Sequence, residues 1–173
     1  MVREKVFVHN NAQIMERKMW QFILGSTGFI LYFIYDINSV RMKNAVLQKF
    51  FAAGSILVVV SLIAELYAAW GSCHRKIGTM TGFGLGGFLF FCLLIYTLFF
   101  ALPFEETYCE ENKLRAAYTE GMYGLCRHPG VLWFAGAYLC MWGMVGGWKQ
   151  GIYFFLMIFW NYLYIIFQDL WTF

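Results

Sequence analysis

The stretch YGLCRHPGVLWF, residues 123–134, joins a polar approach to an apolar run, and its punctuation marks where a helix begins. Pro129 suits the first position of a helix, because its missing N–H would have no partner there anyway. His128 then falls at the cap and Arg127 just outside it. Beyond the proline, residues 131–147 are apolar, and GWKQG (147–151) turns the chain into a second apolar run, 152–167. Two apolar segments joined by so short a turn predict a tight C-terminal helical hairpin.

Working outward, the rest of the chain has the same character. Its 173 residues are 61% hydrophobic, 21% aromatic and 13% charged, against about 25% charged in a soluble domain. Spanning a bilayer core takes about 20 apolar residues. Residues 19–35, 50–70 and 83–104 qualify, the last without a single charge, and with the hairpin they make five candidate spans. The expected fold is therefore all-α: a polytopic membrane helix bundle of about five transmembrane helices forming a single integral-membrane domain over 1–173. Barrel strands would be shorter and would alternate in polarity. The net charge of +3 is dispersed through every loop, so no basic face for nucleic acid emerges. The N-terminus, MVREKVFVHNNAQIMERK, is polar before its first apolar run and does not resemble a cleaved signal peptide.

Cys73, Cys92, Cys109, Cys126 and Cys140 are scattered without a CxxC pair, which reads as reduced thiols used for packing. Cys126, beside Arg127, is a candidate nucleophile, with only His128 in reach by sequence as a base. Among the loops only 104–130 is long; it opens with the acidic cluster EETYCEEN, and KLRAAYTEGMYGLC then predicts a short helix ending at Gly121. Counting Lys and Arg on alternate sides gives seven with the N-terminus inside and six with it outside, so the positive-inside rule leaves orientation open.

Polar residues inside spans are costly and often functional. Glu65, in SLIAELYAAW, either snorkels to the interface or pairs with a loop base, or else binds a cationic group within the bundle. Asp169 closes the last span among Tyr and Trp of an interfacial belt, and Asn161 suits a helix–helix hydrogen bond. The run TGFGLGGF (81–88) lets backbones approach closely, either another helix or a ligand.

The junction at 127–129 has the chemistry of an anion receptor. A helix start offers free N–H groups and a partial positive charge, and an adjacent guanidinium adds a bidentate grip on carboxylate or phosphate. The plainer reading is a basic anchor for lipid phosphates, which leaves His128 and the approach GMYGLCRHP unexplained. That approach, with Gly121, Tyr123, Arg127, His128 and Pro129, resembles the G-x-Y-x-x-x-R-H-P signature of integral-membrane methyltransferases. The superfamily includes the isoprenylcysteine carboxyl methyltransferases and the phospholipid N-methyltransferases. The resemblance covers roughly 119–170, the helix count and the hairpin after the motif.

The resemblance implies that the hairpin and its flanks hold S-adenosylmethionine, with an acidic pair about forty residues beyond the motif. Gln168-Asp169 stands at that place, so one acid of two is present. Arg127, His128 and the helix start at Pro129 would take the cofactor's carboxylate, and Asp169 its ammonium. Its sulfonium favours aromatic faces, for which Tyr123, Trp133, Tyr162 and Tyr164 are candidates. Gly84 and Gly86 would approach the cofactor as a GxG does in the phospholipid branch. The chain departs from the superfamily's R-H-P-x-Y-x-G, having Val131 and Trp133 at the Tyr and Gly positions, and it ends at Phe173, sooner than relatives do.

The expected activity is methyl transfer to a membrane-embedded acceptor, lipidic or prenylated. For a carboxylate acceptor no base is needed; for an amine, His128 or Glu65 takes the proton. A cytosolic cofactor requires loop 105–130 to face the cytosol and the N-terminus to lie outside. Two rivals are an NADPH-dependent membrane reductase of the sterol-reductase type and a non-catalytic protein binding lipid headgroups or a partner.

Overall fold

The structure, a computed structural model, describes residues 2–71, 76–100 and 128–172, with the backbone alone over 2–18. It is helical throughout, with no strand among the described residues. The elements are α1 (Val2–Ile37), a π-helical turn (Asn38–Met42), α2 (Ala45–Gln48), α3 (Phe50–Trp70), α4 (Ile77–Phe99), α5 (Pro129–Val145) and α6 (Trp148–Thr172). They form two compact units, Met1–Ser72 and Cys73–Phe173.

Four segments are long and apolar enough to cross a membrane: Met19–Met42, Ala45–Trp70, Ile77–Leu98 and Trp148–Trp171. The fifth apolar helix, α5, has 17 residues, about 25 Å at 1.5 Å per residue, just short of a 30 Å hydrocarbon core. The all-α class and the C-terminal hairpin are as the hydropathy predicts. Several boundaries differ. The first span continues past 35 to Met42, because Asn38 and Asn44 satisfy the chain reversal that polar residues 36–44 signal as a loop. The third apolar span starts at Ile77 rather than 83, and within its first turns Thr81 donates its hydroxyl to the Ile77 carbonyl at 3.0 Å. The last helix continues to Thr172, so Asp169 lies inside it. The acidic cluster, the short helix expected over 113–121, and Cys73, Cys109 and Cys126 lie outside the described residues; Cys92 and Cys140 are free thiols.

In the first unit, α1 and α3 run antiparallel along a seam of small residues. A Cβ at Gly28 would meet the Gly54 carbonyl at 2.8 Å, and one at Gly54 would meet the Gly28 carbonyl at 2.7 Å. Backbone thus rests on backbone, the arrangement that lets helices associate where lipid removes the hydrophobic drive. Polar side chains tie the same seam. Ser61 donates to the Gln21 carbonyl at 2.6 Å, Gln21 Nε2 donates to the Ala64 carbonyl at 3.1 Å, and Tyr32 donates to Ser55 at 3.0 Å. At the turn, Asn38 and Asn44 clasp each other: Nδ2 of Asn38 donates to the Asn44 carbonyl at 3.0 Å, and the Asn44 N–H donates to Asn38 Oδ1 at 2.9 Å. Lys43 between them takes a left-handed φ of 52°.

In the second unit, α4 and α5 interleave antiparallel with a seven-residue step. The Phe83 ring occupies the space over Gly143, and the Phe90 ring the space over Gly136, each where a Cβ would come within 3 Å. Glycines on one helix thus make the holes for aromatic knobs on the other. The hairpin between α5 and α6 turns at Gly146 and Gly147, with φ of 70° and 80°, a conformation in which Cβ is unwelcome. Trp142 locks the turn by donating Nε1–H to the Gly147 carbonyl at 2.9 Å. Tyr138 meets Phe154, and Trp142 meets Phe155, edge-on at 5.9 and 5.2 Å between centroids.

Candidate functional site

The open end of the α5–α6 hairpin carries the site. Pro129 is the first residue of α5 and is buried. Its ring fixes φ and removes a donor that would have no partner there. His128 precedes it with non-helical φ and ψ of −131° and 69°, and its side chain makes no cap hydrogen bond. The imidazole is therefore released from the helix it introduces and reaches across to α6. There His128 Nε2 stands 3.0 Å from Asp169 Oδ2. The two side chains are 26% and 30% exposed, so the pair is half open. A pair this accessible contributes about 1 kcal/mol or less to stability; its consequence lies in the chemistry it arranges.

With a neutral ring, the carboxylate accepts Nε2–H and leaves Nδ1 as a lone-pair acceptor, because the partner of one nitrogen dictates the tautomer. With a protonated ring, the same contact is an ion pair. Either way Asp169 orients His128, and with the ring neutral the dyad presents a proton acceptor beside a carboxylate. The sequence places these residues 41 apart; the hairpin turn and its aromatic register bring them together. Asp169 was expected to meet a cofactor ammonium, and its direct contact with His128 is a feature that sequence reasoning missed. Counting back along both helices from GWKQG would have shown it.

The other candidates are placed as follows. Arg127 and Tyr123 lie outside the described residues. Gln168, next to Asp169, is half-buried on α6. Gly84 and Gly86 are within α4 and face α5: a Cβ at Gly84 would meet Met144 at 3.6 Å, and one at Gly86 would meet Cys140 at 3.3 Å. Of the two readings of the glycine run, helix packing is the one these contacts express. Glu65 belongs to the first unit, where it is 2% exposed on the α3 face that carries Gly54, Val58 and Ser61. A side chain so enclosed does not snorkel to water from its unit.

Among the candidate aromatics, Trp133 stacks on Phe90 at 6.1 Å between centroids, directing its ring toward α4. Its indole N–H is buried with no hydrogen-bond partner among the described residues. A buried orphan donor costs about 1–3 kcal/mol, and most buried donors in folded proteins are satisfied. Tyr164 is half-buried and Tyr162 is 55% exposed. Among the described residues no group of three or more His, Cys, Asp or Glu side chains could hold a metal ion. No protein-family model, no curated protein and no solved structure matches the chain.

Proposed function

We propose that this chain is an integral-membrane methyltransferase that carries a methyl group from S-adenosylmethionine to a lipidic or prenylated acceptor bearing a carboxylate or an amine. The observation that carries the reading is the 3.0 Å contact between His128 and Asp169. It unites the RHP motif with the acidic position that the resemblance to membrane methyltransferases pairs with it. The residues present suit the cofactor at its ammonium end, where Asp169 offers a half-open carboxylate. Trp133 adds a buried N–H with no acceptor among the described residues. Bound there, the sulfonium would supply an electrophilic methyl group.

The protein's own part is binding, alignment and proton handling. Displacement at carbon depends on holding the two reactants in line, and such positioning is worth several kcal/mol. Asp169 holds the imidazole and attracts the ammonium; Arg127, adjacent in sequence to His128, takes the carboxylate. An amine acceptor gives its proton to His128 Nδ1, whose lone pair the Asp169 contact exposes. A carboxylate acceptor attacks without one. The cofactor is cytosolic, so the proposal puts loop 105–130 on the cytosolic face and the N-terminus outside.

The test is incubation of purified protein with methyl-labelled S-adenosylmethionine and total membrane lipid or prenylated peptide, alongside calorimetric binding of the methyl donor. Binding abolished in Arg127→Ala and Asp169→Ala, with label in a lipid or peptide fraction, supports the reading. Tight NADPH binding with none for the methyl donor would replace it with a membrane reductase. Binding of neither would leave a non-catalytic lipid- or partner-binding protein.

A further inference from the structure

The turn between α1 and α3 holds an arrangement that methyl transfer does not use. Residues 40–46 read VRMKNAV, with apolar and basic side chains alternating over 40–43. Val40, Met42 and Val46 are 37%, 65% and 66% exposed, and Arg41, Lys43 and Lys49 are exposed beside them. The sequence carries no acidic residue between 38 and 50. The turn lies where the span Met19–Met42 ends and the span Ala45–Trp70 begins, which sets it at the depth of the headgroups. Aromatic rings sit one turn further along both helices: Phe51 packs 5.4 Å from both Tyr32 and Tyr35. Such aromatics favour the membrane interface and fix the depth of a helix end.

The turn is also rigid. The reciprocal Asn38–Asn44 clasp closes it. The Lys43 N–H donates to the Asn38 carbonyl at 2.8 Å, and Asn44 Oδ1 accepts from the Val46 N–H at 2.8 Å to cap α2. Arg41, Lys43 and Lys49 are thereby carried on a fixed backbone rather than a loose loop, which reduces the ordering entropy that binding would cost.

We propose that this turn is a docking site for anionic phospholipid headgroups. The exposed apolar side chains enter the acyl boundary while the three cations meet lipid phosphates and carboxylates, as juxtamembrane basic segments do. Each Lys or Arg near an anionic surface is worth about a fivefold preference.

The experiment uses the full chain in bilayers of phosphatidylcholine containing spin-labelled phosphatidylserine or spin-labelled phosphatidylcholine, and reads the ratio of the two association constants. The wild-type ratio should favour the serine lipid and fall toward unity in high salt. The variant Arg41→Gln/Lys43→Asn/Lys49→Gln, with Asn chosen because it tolerates the left-handed φ at 43, should lose on the order of tenfold or more of that preference. The charge-preserving Arg41→Lys/Lys49→Arg should retain it, which separates loss of charge from loss of fold. Equal association of both lipids with the wild type, or an undiminished preference in the triple variant, would overturn the proposal.

Discussion

Replacing Gly54 by alanine tests the packing of the first unit more sharply than any larger change. The added methyl would lie 2.7 Å from the Gly28 carbonyl oxygen and 3.0 Å from the Tyr32 ring. One obstacle is backbone, so relief requires α1 and α3 to part along the seam that also carries the Ser61–Gln21 bond. Overpacking of this kind costs about 1–3 kcal/mol. Alanine returns about 1 kcal/mol through its better helix propensity, which leaves a net loss of roughly 0–2 kcal/mol. At about 2–4 °C per kcal/mol for a chain of this size, Tm should fall by up to roughly 8 °C. Gly82 is the internal control: it lies within α4, and a Cβ there meets nothing within 4 Å. Gly82→Ala should therefore keep the propensity gain and leave Tm unchanged or raised by a few degrees. Thermal unfolding of both variants in one detergent, followed by tryptophan fluorescence, gives the comparison. A Tm of Gly54→Ala equal to or above that of Gly82→Ala would refute the argument that backbone contact at Gly28–Gly54 sets the helix separation.

Asp169→Asn keeps an acceptor for His128 but removes the charge, so unfolding should change by about 1 kcal/mol or less, while affinity for the methyl donor falls by roughly tenfold or more; calorimetry beside a melting curve separates the two. Trp133→Phe preserves a ring for Phe90 to stack on and deletes an indole N–H that has no partner among the described residues, so Tm should hold or rise; a clear fall would mean the N–H is satisfied in the membrane or by the rest of the chain. Asn38→Ala removes both side-chain bonds of the 38–44 clasp, costing about 2 kcal/mol at roughly 1 kcal/mol per bond, and should speed hydrogen exchange at the Asn44 amide.

Much of the molecule follows from local rules that a single chain carries openly. Length and hydropathy depend only on consecutive residues, so the helical class, the apolar segments and the existence of a C-terminal hairpin can be read without knowing what touches what, although its turn lies at 146–147 rather than over 147–151. The Pro129 helix start is equally local, since it depends on one ring and one missing N–H. Boundaries were less accessible, because a polar segment such as 36–44 signals a loop until partners for its groups are known. Asn38 and Asn44 supply those partners to each other.

The site divides the same way. The residue types at 127–129 and 169, and the chemistry they offer, can be read in order along the chain. That His128 meets Asp169 rather than standing apart from it depends on the register of two helices, which is set far from either residue by Trp142 at the turn and Tyr138 against Phe154. The enclosure of Glu65 and the use of Gly84 and Gly86 for packing against α5 are likewise decisions of tertiary structure. Hydropathy tells a helix that it must be covered, but only the rotation and register of its neighbour determine which face the protein covers and which it leaves to lipid.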